Sequence, residues 1–518
     1  MNQFSNRFLR NISTNTASYL VQVVTVFFMS PFIVSSLGKE IYGVWSLLIS
    51  LTGYMSMVDM GVRVTTGRYL NFYLGKNQID KAGQSVAASY AIYTLLSVIV
   101  LGASLVIAWI FPQIFPKTPL HYLPEIRIAI PLLALSIWLS FYNATDTQLL
   151  VAAHRYDLCS ASAIMTSLIR AGVIVTVLKL GYGMVGLAIV QVSLQLLQWL
   201  QIRFWAKRYG AQVKIKIRDI TRETVKELFS FGGWSFVRIT AVNLLSYTGS
   251  VLVGVFLGAT AVAYFSIGLM FVDYANNLVG QVTSVTNPEF SQRAGANDKE
   301  SLLNLLYRVT RISAFISIPL YLGIVYLSGG FINLWMGPGF HPSAQVAIIL
   351  ASIALLSRCG SAISMTLWAL GEVKVMALIE WVKLGVSLIL YFLFVKVFNM
   401  GLMGMALGTL GPALLDTFWI PYYTAKTLKT RSWSLYWESL FRPGFFVFGA
   451  VIALEIFKHY NLLSFHSWLG FVGMGSVFTL IIVGLSLPLV LGKDLSQSLL
   501  GKIPFLNKVK IPGLFGIR

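Results

Sequence analysis

The residues of this chain that could do chemistry are charged and amide side chains set within long apolar runs. Arg170, Arg238, Arg358 and Lys383 interrupt such runs, and Arg63 lies at the inner end of one. Asp59, Asp146, Asp273, Glu380, Asp416 and Glu455 interrupt them with the opposite sign. A charged side chain at the centre of a hydrocarbon layer costs roughly 2.5 kcal/mol or more, so these groups must face protein or a water-filled space. There a guanidinium is a fixed positive charge with a fork of donors suited to oxyanions. An isolated buried carboxylate can take a proton from one side and release it to the other, whereas one held by Arg stays ionised. Asp146, beside Asn143, and Asp273 are the better candidates for ion coupling. Asp59, four residues before Arg63, is a third candidate, although that spacing lets the two pair. Glu380 and Lys383, three apart, are expected to neutralise each other on one helical face.

The spacing of the remaining polar residues says which helical faces position these charges. Thr52, Ser56, Asp59, Arg63 and Thr66 follow one another by three or four residues and so are expected on one face of one helix. Asn11, Asn15, Ser18, Gln22 and Thr25 form a similar stripe. Asp273, Asn276, Asn277, Gln281, Ser284 and Asn287 make a third, too polar to face lipid. From these stripes Asn15, Gln22, Asn276, Asn277 and Gln281 are expected to line a wet cavity, the plain alternative being hydrogen bonds between helices.

The elements that carry these residues are transmembrane helices. The 518 residues are 56% hydrophobic and only 11% charged, with a mean hydropathy of +0.74, which excludes a soluble protein. Runs of about 20 apolar residues, long enough to cross a ~30 Å core, are centred near Val23, Leu51, Val98, Leu135, Leu168, Val192, Leu245, Leu269, Ile318, Ile353, Leu388, Leu410, Val451 and Ile481. The expected fold is therefore all-α and polytopic, with about fourteen crossings. The first run is too long for a cleaved leader and should stay in the membrane.

With loops assigned alternately, the side holding the N-terminus carries 29 Lys and Arg and the other side 6, with four more inside crossings. This bias puts both termini in the cytoplasm, and it accounts for the net charge of +20 without a nucleic-acid partner. Cys159 and Cys359 are expected to be free thiols.

The halves repeat. Leu37-Gly38 matches Leu257-Gly258, Trp45-Ser46-Leu47 matches Phe265-Ser266-Ile267, and Gly75-Lys76-Asn77 matches Gly295-Ala296-Asn297, all at a shift of 220. Gly183-Met184-Val185-Gly186-Leu187-Ala188 then matches Gly401-Leu402-Met403-Gly404-Met405-Ala406 at 218. Six crossings per repeat keep the halves parallel. The expected organisation is an N-lobe at 1–205, a basic cytoplasmic loop at 206–230, a C-lobe at 231–425, two further helices at 426–491 and a basic tail at 492–518 that can meet anionic membrane lipids. Two repeated lobes facing a central cavity would suit alternating access.

The Leu-Gly-x-x-x-Tyr-Gly-x-Trp turn at 37–45, the Asp59-x-Gly61 end of the second crossing, the basic loop with Gly75 and the six-plus-six-plus-two helix plan resemble the Wzx-type polysaccharide flippases. These form a branch of the multidrug/oligosaccharidyl-lipid/polysaccharide exporter superfamily. The resemblance covers nearly the whole chain, but in the second half the turn, at 257–264, has lost the Tyr and Gly that stand at 42 and 43 in the first, and only its outline persists. It implies a multi-pass protein of the bacterial inner membrane that moves undecaprenyl-diphosphate-linked oligosaccharide, such as an O-antigen or capsule unit, from the inner to the outer leaflet. The work would be transport, coupled to a cation such as H+ or Na+, with a polysaccharide polymerase and a chain-length regulator as partners.

On that implication Arg238, Arg170, Arg358, Lys383 and Arg63 would bind the diphosphate. Arg238 aligns through the repeat with Ser18 of the first polar stripe. Asn276, Asn277, Gln281, Gln22 and Asn15 would meet sugars, and Tyr142, Tyr247 and Trp381 could stack on them. An ion-coupled drug exporter, or a flippase of another lipid-linked precursor, shares the same plan, but fixed positive charges in the lumen would repel cationic drugs. An enzyme is not expected. The largest outer loop, near 111–127, is short, and neither an Asp-x-Asp pair nor a metal-ligand cluster occurs in the chain.

Overall fold

In the computed structural model the described residues are 2–59, 61–216, 218, 220–222, 224–225, 233–284, 286–296, 298–460 and 467–492. Side chains are described from residue 17 onward, excluding 235, 282, 284 and 288. The expected interlobe loop is described only in part, and the expected tail from 493 on lies outside the described residues, as does the side chain of Asn15.

The described chain is helical almost throughout: α1 (Asn2–Ser56), α2 (Val62–Gly75), α3 (Ile79–Ile114), α4 (Leu123–Ala152), α5 (Tyr156–Lys179), α6 (Gly183–Tyr209), α7 (Gly233–Leu257), α8 (Ala259–Ser284) and α9 (Asn287–Gly295). The order continues with α10 (Lys299–Met336), α11 (His341–Arg358), α12 (Ser361–Ala369), α13 (Val373–Phe392), α14 (Gly401–Leu407), α15 (Leu410–Leu414), α16 (Ile420–Leu428), α17 (Ser432–Tyr436), α18 (Arg442–His459) and α19 (Trp468–Ser486). Among the described residues, eleven spans are long and apolar enough to cross a membrane. One of them, Ala17–Gly75, is 59 residues long and holds two crossings, because Gly38 takes φ 80, ψ 164 inside α1. Every expected centre falls on a helix. The run near Leu410 is the irregular one: α14, α15 and α16 follow one another through a π-helical turn at Leu415–Trp419.

The expected single polar face from Thr52 to Thr66 does not form. A 3-10 turn at Met57–Asp59 and a left-handed Gly61 at the start of α2 interrupt the helix, so the 3.6-residue register does not carry across. Thr52 and Ser56 instead donate to the carbonyls of Ile49 and Gly53. Thr66 is buried against Ser89 of α3 at 2.5 Å.

The sequence repeat returns as a backbone repeat. Left-handed residues recur as Gly38 and Gly258, His154 and Gly371, Gly181 and Asn399, and Gly183 and Gly401. Each marks a joint between helices, where a turn requires positive φ.

The chain packs as two compact units, 1–263 and 264–518. In the first, α7 and the first residue of α8 lie against α1 through close glycine contacts: a Cβ on Gly43 would stand 1.8 Å from the carbonyl oxygen of Ala259 in α8, and one on Gly254 of α7 3.0 Å from Leu47. The repeat relates α7 to the first part of α1, while its packing puts it in the first unit. The core that holds α2, α3, α4 and α6 together contains Leu70, Tyr73, Val86, Leu149, Leu150, Ile202 and Ala206. In the second unit Ile318, Leu322, Cys359, Phe446, Phe478 and Ile482 join α10 to α18 and α19. Both cysteines are free thiols. Large apolar side chains such as Trp109, Leu105, Phe448 and Leu480 remain on the outside, as a lipid-facing surface requires.

Candidate functional site

In the first unit, the core residues Leu149, Leu150 and Ile202 hold α4 against α6, and this sets Asp146 opposite Arg203. Arg203 Nη1 donates to Asp146 Oδ1 at 3.1 Å and to the Tyr90 hydroxyl at 2.7 Å. Trp199 Nε1 donates to Asp146 Oδ2 at 3.0 Å, and the Tyr90 hydroxyl donates to Oδ1. The Asp146 side chain is 2% exposed and that of Arg203 36%. Asp146 is thus a carboxylate held by Arg, one of the two cases distinguished from sequence.

Arg203 itself is the functional candidate that sequence reasoning missed. It lies near the cytoplasmic end of α6, which continues to Tyr209, past the expected lobe boundary at 205. The available signal was Trp199 four residues earlier, one turn back on the same helical face.

Asp59 closes the turn between α1 and α2. Its Oδ1 accepts the Arg63 backbone N–H at 3.3 Å and the Tyr93 hydroxyl. Tyr93 is fully buried and stacks on Phe141 with ring centroids 4.9 Å apart. The Arg63 side chain is exposed beside them. Arg170 lies within α5, and its Nη1 donates to Gln191 Oε1 of α6 at 2.9 Å. Among the described residues it has no carboxylate in salt-bridge contact. Gln22 donates to Ser18 at 3.2 Å on the same helix. Arg238 is half-buried on α7.

In the second unit, Asp273 and Asn276 lie one turn apart on α8, Asp273 exposed and Asn276 half-buried, and Arg358 stands at the end of α11. The Tyr321 hydroxyl of α10, on a fully buried ring, donates to Asn276 Oδ1 at 2.6 Å. Asn277 and Gln281 are exposed farther along α8. Lys383 has other neighbours. Its Nζ lies 3.1 Å from Glu380 Oε1 and 2.5 Å from Asp416 Oδ1, with 6% of its side chain exposed. The neutralising pair expected on α13 is present, and the π-helical turn at Leu415–Trp419 adds a second carboxylate to it. Such turns widen a helix by one residue per turn and occur often at functional positions. No group of three or more His, Cys, Asp or Glu suited to a metal occurs among the described residues.

The two units therefore offer fixed cations, paired carboxylates and amides inside apolar helices. That chemistry binds and releases anions and polar groups.

Compared with known proteins, residues 37–345 match the family model described as polysaccharide biosynthesis protein. The uncharacterised membrane protein EpsK of Bacillus subtilis is 24% identical over 81% of this chain and 83% of its own length. A protein named as an O-antigen transporter in Shigella flexneri is 22% identical over 83% of this chain and 99% of its own. Among solved structures, an inward-facing multidrug-resistance MATE transporter superposes with a TM-score of 0.69 at 16% identity, covering 79% of this chain and 98% of its own. The lipid II flippase MurJ, in an inward closed conformation, gives 0.67 at 16% identity, covering 92% and 98%. At that level of identity the two structures speak for the fold alone.

Proposed function

The chain belongs to the polysaccharide biosynthesis protein family, and from that premise we propose that it is a flippase for polyprenyl-diphosphate-linked oligosaccharide. It is a multi-pass membrane carrier and not a catalyst. The observation that carries the reading is Arg170, a permanent cation inside α5 whose hydrogen-bond partner is the neutral Gln191. A charge so placed lowers its free energy by meeting an anion, and a diphosphate supplies one that the guanidinium fork fits. Arg358, Arg238 and Arg63 add positive charge on other helices, and Asn276, Asn277 and Gln281 offer amides to sugar hydroxyls. The transporter name carried by the Shigella relative and the flippase fold of MurJ support the same reading.

In this reading two lobes alternate between inward and outward access. The headgroup crosses with its charge compensated, and the prenyl chain stays in lipid. The termini lie in the cytoplasm of a bacterial inner membrane, the carried lipid is built on undecaprenol, and a polymerase receives the product outside. Coupling to H+ or Na+ is assigned to Asp273, an exposed carboxylate one turn before Asn276 on α8.

The test is complementation. Expressed in strains that lack their own O-unit or capsule-unit flippase, the chain restores surface polysaccharide in at least one strain, and Arg170→Ala at equal protein level loses most of it. Resistance to cationic dyes without restored polysaccharide would instead make the chain a drug exporter.

A further inference from the structure

Around the Asp146–Arg203 pair, α3, α4 and α6 gather four aromatic rings. Tyr142 lies at their centre, with ring centroids 5.6 Å from Tyr90, 5.7 Å from Trp199 and 6.2 Å from Trp138. The Tyr142 hydroxyl is 2.9 Å from the Thr94 hydroxyl, which is itself exposed. The Arg203 guanidinium lies 5.5 Å from the Tyr90 ring centroid. All four rings are half-buried rather than enclosed.

Three features separate this cluster from ordinary core packing. Beside the rings stands the partly exposed Arg203 guanidinium, a group that cannot face hydrocarbon cheaply, so the rings border polar space. Asp146 and Tyr90 fix Arg203 through Nη1 alone, which leaves Nη2 and Nε as aimed donors on a pre-set fork. Trp138 Nε1 is buried and has no hydrogen-bond partner among the described residues, although a buried indole N–H ordinarily finds one.

We propose that Tyr142, Trp138 and Trp199 form an aromatic shelf for the pyranose ring adjoining the diphosphate, and that Arg203 binds the phosphate that ring carries. The inference rests on the flippase reading and places one end of its substrate. An aromatic face packs against the C–H face of a pyranose, while the ring hydroxyls take hydrogen bonds at the edge. Trp138 Nε1 is the donor at that edge. Asp146 acts through Arg203 as a positioning residue, because its two oxygens are already taken by Arg203, Tyr90 and Trp199. The shelf reads a ring next to an anion, which is the junction between sugar and diphosphate.

The experiment uses the purified full-length protein in lipid nanodiscs and two kinds of probe: farnesyl diphosphate alone, and farnesyl diphosphate bearing glucose, galactose or N-acetylglucosamine. Calorimetric affinities are expected to favour at least one sugar-bearing probe at least tenfold over the bare diphosphate. Tyr142→Ala should erase that preference and leave the bare probe unchanged. Trp138→Phe, which keeps the ring and loses the N–H, should reduce it several-fold. Arg203→Gln should weaken both probes at least tenfold, and Arg203→Lys should recover part of the loss. Melting temperatures and Tyr142→Phe separate loss of binding from loss of fold. A wild-type protein that prefers none of the three sugars, a preference that survives Tyr142→Ala, or bare-diphosphate binding indifferent to Arg203→Gln overturns the shelf. If polysaccharide is still restored in the complementation strains, the flippase reading stands without it. Should the wild type bind no probe and restore no polysaccharide, the flippase reading falls and the shelf with it.

Discussion

Arg203 and Asp146 stand 57 residues apart in sequence and 3.1 Å apart in the fold, with the carboxylate buried and the guanidinium partly open. The asymmetry decides what each can do. Asp146 has three donors and no free oxygen, so its part is to hold, whereas Arg203 keeps donors to spare.

Replacing Arg203 with Ala should destabilise the first unit, because it leaves the Asp146 carboxylate, 2% exposed, without its cation, a loss of up to about 3–5 kcal/mol for a buried pair. Adding Asp146→Asn to Arg203→Ala removes the stranded charge and should return part of the lost melting temperature in detergent. A double variant that melts no higher than Arg203→Ala would show that the unpaired charge is not the cause.

Lys383 answers two carboxylates, and its removal should be severe. Lys383→Met leaves Glu380 and Asp416 facing each other without a cation, and breaking a buried pair this way typically costs about 3–5 kcal/mol. Adding Glu380→Gln and Asp416→Asn to Lys383→Met should return most of the lost melting temperature. If the triple variant melts no higher than the single one, charge imbalance is not the cause.

Gly43 and Gly38 predict opposite sensitivities although they share one helix. A Cβ at Gly43 would run into the Ala259 carbonyl, while one at Gly38 meets nothing within 4 Å and suffers only its φ of +80. Gly43→Ala should abolish monodisperse protein, or nearly so. Gly38→Ala should cost about 1–3 kcal/mol, because φ 80 with ψ 164 is a region almost reserved for glycine. Size-exclusion yield and melting temperature of the two variants, prepared side by side, distinguish a close approach of backbones from a strained turn.

Glu438 ties the second unit's end to its body. Arg311 donates to both of its oxygens at 2.8 and 2.6 Å, and Arg442 to one at 3.3 Å and also to the Leu489 carbonyl at 3.0 Å. Glu438→Gln leaves two guanidinium groups facing each other across a neutral amide. Hydrogen exchange should then quicken at 432–445 and 487–492 before it does in α10, by about tenfold if one charge-assisted bond of roughly 1.5 kcal/mol is lost. Uniform exchange would show that this contact does not hold those segments.

The all-helical fold, the crossings and the repeat were legible in the sequence because each is local. Twenty apolar residues announce a crossing by length, and a left-handed joint is announced by Gly, as Gly38 and Gly258 or Gly183 and Gly401 show. The polar face expected at Thr52–Thr66 does not form, because periodicity assumes an unbroken helix and here a 3-10 turn at Met57–Asp59 and the positive φ of Gly61 end it. Glu380 and Lys383 were readable as a pair because three residues separate them on one helix. Asp416 as their third member, Tyr93 on Asp59 and Arg203 on Asp146 were not readable. The sequence by itself determined most of the charges that lie inside the helices, Arg203 near the end of α6 excepted, because burial follows from the apolar residues around each one. Only the tertiary structure decided which charges are answered and which stay available, because pairing depends on how neighbouring helices rotate against each other, and apolar packing contacts set that rotation.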